Sequence, residues 1–336
     1  MVLRVALTFN DDRGLGSSEG LDRAAVEGVQ LAAQAIATAL AARGHEVHRV
    51  PVHGPPSALL EALARIRPEL VFNQVESVNG DARLEAGVAH LYAWLGLRFT
   101  GSPPAALSLA LDKGLSKAVL VAAGLPTPRG RTLQEAHDLG GLEPPWIIKP
   151  QALDASHGID QDSVTSDPAR ALERARHLRA TYDQPALVEE YVEGRELNVS
   201  LLERGGVIEA LSPGEIDFSA LPADRPRILP YAAKWEEASL EFGATPAVAA
   251  RDVGEEVLGL AKAAFLALGL RGYGRVDLRL HPTRGPFVLE VNPNPDLSTV
   301  AGLDLEAARI GIRYDEIFER IALAALHPHA AGIATG

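Results

Sequence analysis

Two alternating apolar segments near the C-terminus, GRVDLRL from Gly274 and FVLEVNP from Phe287, carry Asp277 on the first and Glu290 and Asn292 on the second. The turn residues HPTRGP lie between them. Side chains alternate faces along a strand, so Glu290 and Asn292 point the same way and Asp277 comes alongside from an antiparallel partner. Two carboxylates and an amide oxygen then converge, a hard-oxygen set suited to Mg²⁺, which shares its shell with waters and substrate phosphates. Val276, Leu278, Leu289 and Val291 read as the apolar face. A uniformly polar opposite face therefore needs a partner. Arg275, Arg279 and Arg284 supply the competing reading, in which the same carboxylates are ion-paired at a strand surface.

Lys149 poses a similar question in PWIIKPQ, where it follows Trp146, Ile147 and Ile148 and precedes a proline. A lysine on a buried strand is costly unless an anion meets it.

These residues need a scaffold, and the chain is long enough for two or three domains at 336 residues and 47% apolar. VLRVALTF reads as a buried first strand, followed by a long helix that ends at Gly44 and feeds a second strand. ALLEALARIRPELVFNQV repeats this pattern, and LEAGVAHLYAWLGLRFTGS repeats it again with Gly96 closing the helix. Residues 1–101 are therefore expected to form a parallel α/β domain. Residues 102–192 read as a small α+β domain with the strand PWIIKPQ, the helix ALERARHLRATY, and strands on either side of Gly194. Residues 193–336 hold the strands LNVSLLE and VIEAL, a loop from Ser212 to about Ala249, a helix, the hairpin and a last helix.

The formal net charge of −12, without long single-sign runs, argues against nucleic acid or an acidic membrane surface and favours small metabolites. No cysteine is present, so disulfides and thiolate metal sites are excluded. The apolar start MVLRVALTFN is too short for a signal-peptide core or a membrane span, and the expectation is a soluble cytoplasmic protein. A dehydrogenase is excluded because the first strand runs into NDDRGLGSSEG instead of a tight GxGxxG turn.

Five blocks, in order, resemble the ATP-grasp superfamily and within it the D-alanine:D-alanine ligase-like group: FTGSPPAALSLALDKGLSKAVLVAAGLPTP, WIIKP, LVEEYVEGRELNVS, YAAKW, and GYGRVDLRL with FVLEVNPNPDLS. The resemblance covers nearly the whole chain. It implies a three-domain ATP-grasp fold, an ATP-dependent carboxylate–amine ligase working through an acyl phosphate, and a homodimer formed through the N-terminal domain. Asp277, Glu290 and Asn292 would hold Mg²⁺, with Mn²⁺ able to take its place. Arg275 would stabilise the transferring phosphate and the tetrahedral intermediate. Lys113 and Lys149 would contact the ATP phosphates, the competing reading for Lys113 being an exposed helix lysine. Glu189, Glu190 and the backbone at Val192 would clasp the adenine, and Glu196 would accept the ribose hydroxyls. Lys234 and Trp235 would sit on a loop, about 214–237, that closes over the site and excludes water.

The sequence departs from that group at its substrate ends. The phosphate-covering loop reads QALDASHGID, where Ser156 and Gly158 keep the usual small-residue character, Asp154 adds a negative charge and His157 reads as a surface residue or, in the competing reading, a phosphate or substrate contact. Glu19, Glu27, Glu76 and Glu85 are the candidates for meeting an ammonium, with helix-surface solvation the competing reading for the last two. Asp296, Ala301 and Gly302 stand where the group has a glycine, a serine and a leucine that serve the second substrate. The reading is accordingly an amide- or peptide-forming ligase whose acceptor is D-alanine or another amine of specialised metabolism. A nucleotide-binding protein without turnover is the further alternative.

Overall fold

A computed structural model of the chain describes residues 1–12, 22–133, 139, 141–153, 156–299 and 301–326, with side chains of the first helix described from Glu27 onward. Strands Arg4–Asn10, Glu46–Val52 and Leu70–Gln74 form a parallel sheet with Arg4–Asn10 in the middle. Helices Asp22–Ala42 and Pro56–Ile66 provide the crossovers that parallel pairing requires. The central strand is buried from Val5 to Asn10, as expected of a strand covered on both faces. The first helix stops at Ala42, and Gly44 turns the chain at a φ of +91°.

Gly130–Leu133, Ala186–Glu190, Trp146–Pro150 and Val164–Thr165 pair in that order as an antiparallel sheet. Helix Pro168–Tyr182 covers it, setting Ala171, Ala175 and Leu178 against Trp146, Ile148 and Val188. The larger sheet is also antiparallel and runs Ala247–Ala249, Gly214–Ile216, Arg195–Arg204, Tyr273–His281, Gly285–Asn292, with Val207–Ala210 also paired to Arg195–Arg204.

One face of that sheet rests on helix Glu255–Ala267 and on helices Pro104–Leu111 and Lys113–Ala122, where Ala106, Ala110, Leu120 and Phe265 meet Leu197, Val199, Val276 and Leu278. Helices Pro104–Leu111 and Lys113–Ala122 thus pack under the large sheet, the second also reaching the four-stranded sheet through Lys117 and Glu189. At the sheet's far end, helix Tyr314–Leu326 places Ile317, Phe318 and Ile321 in one core with Leu7 and Phe72 of the parallel sheet and Leu202 and Tyr273 of the large one. Each such fully buried aliphatic or aromatic side chain contributes about 1.5–3 kcal/mol.

The expected loop from Ser212 to Ala249 is more ordered than its sequence suggests. It contains strand Gly214–Ile216, helices Tyr231–Trp235 and Leu240–Ala244, and strand Ala247–Ala249. Ile216, Phe218, Leu221 and Ala244 give it a core of its own. Elements of three to five residues are too short to imprint a hydrophobic period.

Candidate active site

The hairpin register places Asp277 directly opposite Glu290 and Arg275 opposite Asn292. On the other side of the same strand, Arg275 faces Ser200, Asp277 faces Asn198 and Arg279 faces Glu196. Directly opposed residues share a face, so these polar side chains gather on one side of the large sheet while Val276 and Leu278 fill the core on the other. A bulge after Asp277 pairs Leu278 with Val288, leaving Leu289 half-buried without a partner across the hairpin. Val288 therefore continues the apolar face that the alternating pattern assigned to Leu289.

Arg275 grips Asp277 with two arms, Nε to Oδ1 at 2.7 Å and Nη2 to Oδ2 at 2.9 Å, and Asn198 Nδ2 donates to the same Oδ1 at 2.7 Å. Glu290 Oε1 lies 2.7 Å from Lys113 Nζ. Asn292 Oδ1 accepts from the Asn294 backbone N–H at 2.9 Å. The structure puts the three oxygen donors on one face and pairs Arg275 with one of their carboxylates. The other two arginines pair elsewhere, Arg279 with Glu196 at 2.7 Å and Arg284 with Glu190 at 2.6 Å.

Electrostatics tighten this arrangement. Burial alone would raise the Glu290 carboxyl, but Lys113, Lys149 and Lys234 outweigh it and hold it below the usual carboxylate range. Burial opposes the Arg275 charge as well, yet Asp277 and Glu290 override it and keep the guanidinium charged. Two carboxylates and an amide oxygen on one face match the donor set of Mg²⁺. Among the described residues no group of three or more His, Cys, Asp or Glu side chains gathers as a complete metal cage, so a cation there would draw its remaining ligands from water and phosphate oxygens.

The lysines form a second wall. Lys113 begins helix Lys113–Ala122, capped by Asp112, and is only 5% exposed, which rules out the solvated reading. Its Nζ also donates to the Leu153 carbonyl at 2.7 Å. Lys149 Nζ lies 2.5 Å from Glu189 Oε2, and the other oxygen of that carboxylate pairs with Lys117 Nζ. Glu189, one of the two carboxylates expected at the adenine clasp, is 1% exposed and bridges two lysines. Burial pulls Lys149 down to about 8, with Lys113 helping and Glu290 opposing. Lys117 is pushed well below its usual value by burial and by the Lys149 charge. Lys117 was not singled out from the sequence, although its place four residues after Lys113 puts both on one helix face.

Two loops meet above these walls. Ser156, at a φ of 62°, donates its hydroxyl to the Leu229 carbonyl at 2.9 Å, and the Tyr231 N–H reaches the Ile159 carbonyl at 2.9 Å. The His157 ring lies tilted 5.1 Å from Tyr231, which lies 6.3 Å from Trp235, so a half-buried His157 is part of this junction. Gly158 is packed tightly: a Cβ there would sit 2.7 Å from Pro150 Cγ and 2.9 Å from Tyr182. Asp154 lies outside the described residues. Lys234, from the same closing segment, is pulled below its usual value by burial first and by Arg275 second.

At the far end, Glu196 is pushed up by burial despite its pair with Arg279, and Val192 is 3% exposed. Glu190 is partly exposed beside Arg284. On the side of the parallel sheet, Glu85 is buried, with Oε1 accepting from Asn294 Nδ2 at 3.4 Å, so it does not lie on a solvated helix face. Glu76 and Glu27 are exposed, and Glu19 lies outside the described residues. Asp12 gathers Asn10 Nδ2 at 2.9 Å, Ser77 Oγ at 2.8 Å and the Gly80 N–H at 2.9 Å.

Comparison with known proteins identifies the family. Residues 129–322 match the family described as D-ala D-ala ligase C-terminus. A D-alanine–D-alanine ligase of Gluconobacter oxydans is 31% identical over 84% of this chain and 89% of its own length. Its counterpart from Acidiphilium cryptum is 34% identical over 83% and 87%. In fold, the chain superposes on the Bacillus anthracis D-alanine–D-alanine ligase complexed with ATP with a TM-score of 0.73, covering 97% of this chain and 98% of that one at 19% identity. The buried lysines, the polar hairpin face and these relationships together place the chain in the D-alanine–D-alanine ligase family of ATP-grasp, ATP-dependent, ADP-forming ligases.

Proposed function

We propose that the protein couples ATP hydrolysis to amide-bond formation between a carboxylate and an amine, with at least one amino acid as substrate. The observation that carries this reading is the meeting of Asp277, Glu290 and Asn292 with Arg275, Lys113 and Lys149 around one water-poor face. Asp277, Glu290 and Asn292 would hold Mg²⁺, which supplies charge neutralisation for the ATP phosphates when bound. Lys113 and Lys149 hold phosphate oxygens. Glu196 accepts ribose hydroxyls, the backbone at Val192 reads the adenine edge, and Glu190 is the outer carboxylate of that clasp.

The substrate carboxylate attacks the terminal phosphorus, ADP leaves, and the resulting acyl phosphate is attacked by the amine with loss of phosphate. The protein needs no nucleophile of its own for this sequence, because positioning and charge stabilisation supply the rate. Arg275 stands beside the developing charge. Lys234 and Trp235, on the segment that Ser156 latches through Leu229, keep water from the acyl phosphate. Division of the chain at about 101 and 192, and dimerisation through the N-terminal part, belong to the same reading. Among the described residues no helix is long and apolar enough to cross a membrane.

D-alanine is the first substrate to try, because the named relatives are D-alanine–D-alanine ligases. Asp296, Ala301 and Gly302 favour a second reading in which a different amine is the acceptor. The deciding experiment measures ADP release with ATP and Mg²⁺ against D- and L-amino acids singly and in pairs, with mass spectrometry of the products. Dipeptide from D-alanine alone establishes the first reading, and product with another amine establishes the second. No release with any of them, while ATP still binds, shifts the reading to a substrate outside this panel or to nucleotide binding without turnover.

A further inference from the structure

Arg279 is a buried charge on the polar face that the scheme above leaves unused. It stands on strand Tyr273–His281, directly opposite Glu196 of strand Arg195–Arg204, and is 3% exposed. Its Nη2 donates to Glu196 Oε2 at 2.7 Å, and its Nη1 donates to the Gly194 carbonyl at 3.1 Å. One planar guanidinium therefore ties the backbone just after the adenine clasp to the carboxylate two residues further on.

Aromatic rings close round that guanidinium, whose carbon lies 5.9 Å from the centre of the Tyr191 ring and 5.8 Å from that of Phe218. Tyr191 is itself pinned, its hydroxyl accepting the Arg227 N–H at 3.0 Å. A buried ion pair adds little net stability over apolar residues of similar size, so stability alone does not account for a charge kept here. The open side of its partner does. Glu196 Oε1 takes no hydrogen bond from the described residues, and the Glu196 side chain keeps 12% of its surface exposed. One oxygen is thus fixed by Arg279 while the other is left for a ligand. Burial raises the Glu196 carboxyl, and the Arg279 charge is the largest influence against it. Glu196 follows Asn198 on the polar face at two residues' distance, as Arg279 follows Asp277 on the next strand. The ion pair therefore lies about 6.7 Å along the sheet from the oxygen donors of the hairpin, a spacing that a sugar attached to a phosphate chain can bridge.

We propose that Arg279 is a positioning residue for the nucleoside: by holding Glu196 and the Gly194 carbonyl at one spacing, it makes the protein read the ribose 2′-hydroxyl. The inference rests on the ribose role given to Glu196 in the ligase reading. Arg279 itself touches neither the sugar nor the reacting groups. Its part is to keep the accepting oxygen in place before the nucleotide arrives.

Titration calorimetry of the full chain with ATP, dATP and inorganic tripolyphosphate, each with Mg²⁺, tests this without turnover. Tripolyphosphate carries phosphates but no nucleoside, so it reports the lysine and hairpin end alone. Wild type is expected to bind ATP about tenfold more tightly than dATP, the usual worth of one hydrogen bond to a charged group. Arg279→Met keeps an unbranched side chain between the two rings but removes both donors. Its ATP-to-dATP ratio is expected to fall to about twofold, with tripolyphosphate affinity within about twofold of wild type. Adding Arg279→Met to Glu196→Ala is expected to change the ratio no further, because both act through one carboxylate. An unchanged ratio in Arg279→Met overturns the proposal, as does a further fall in the double variant. Equal weakening of ATP, dATP and tripolyphosphate overturns it too, leaving Arg279 a structural residue. Should Arg279→Met fail to fold, Arg279→Lys keeps the charge without the fork, and a wild-type ratio there overturns the proposal instead. Wild type that binds ATP and dATP alike removes the ribose role of Glu196 and the inference with it, and leaves the ligase reading to the product assay above.

Discussion

Glu290 and Lys149 illustrate how one polar face fixes the state of its own members. Glu290 is kept ionised by three lysines, so replacing it by glutamine removes a phosphate-side charge without changing shape. Glu290→Gln is expected to lower kcat for ADP release by about 10²–10³-fold, the usual cost of losing one preorganised electrostatic contact. Lys149 shows the opposite tendency, drawn from 10.5 to about 8 by burial. An unfolded lysine keeps its proton over that interval while the folded one has released it, so this group makes stability rise with pH between about 8 and 10.5. For binding the sign reverses. A phosphate restores the charged form, so ATP binding at pH 8.5–9 is expected to take up a proton, and affinity is expected to fall as pH rises through about 8. Calorimetry in two buffers of different ionisation enthalpy measures that uptake, and Lys149→Met abolishes it.

Among the elements, the joint between the four-stranded and large sheets is the most constrained. Gly194 links strands Ala186–Glu190 and Arg195–Arg204 at a φ of +133°. A Cβ there would collide with the Leu280 carbonyl, lying 2.8 Å from its carbon and 3.0 Å from His281 Cα. Both obstacles are backbone of the hairpin strand, so nothing flexible yields. Gly194→Ala is expected to cost about 2–3 kcal/mol and several degrees of Tm. Gly205→Ala, where φ is +54° and nothing lies within 4 Å, is expected to cost only about 1 kcal/mol. Thermal melts of the two variants check the difference.

Across the whole molecule, Asn294 ties the parallel sheet to the hairpin. Its Oδ1 accepts from Gln74 Nε2 at 3.1 Å and from the Tyr273 hydroxyl at 2.8 Å, and its Nδ2 donates to the Val75 carbonyl at 3.3 Å and to Glu85. Its own N–H fixes the Asn292 amide oxygen. Asn294→Ala would leave several buried polar groups short of partners, with an expected cost of about 2–4 kcal/mol. The core joining Leu7 and Phe72 to Leu202, Tyr273 and Phe318 predicts that calorimetry still records these parts unfolding together.

The hairpin and its donors were legible in the sequence because strand alternation is local: a period of two places Glu290 and Asn292 together without knowledge of the fold. The parallel opening was legible for the same reason, from repeated β-α-β periodicity. Those same local rules could not show that Lys113 is buried, that Glu189 is shared by two lysines, or that Glu85 faces inward, because each depends on a neighbour dozens of residues away. Bulge position, which exchanged Leu289 for Val288, and the order within residues 212–249 depend likewise on pairing. Residue type and spacing alone put forward the groups proposed to bind phosphate and metal in this chain. Tertiary structure alone decided which are buried and which charge meets which, because desolvation and ion pairing act through space and leave no periodic trace in the sequence.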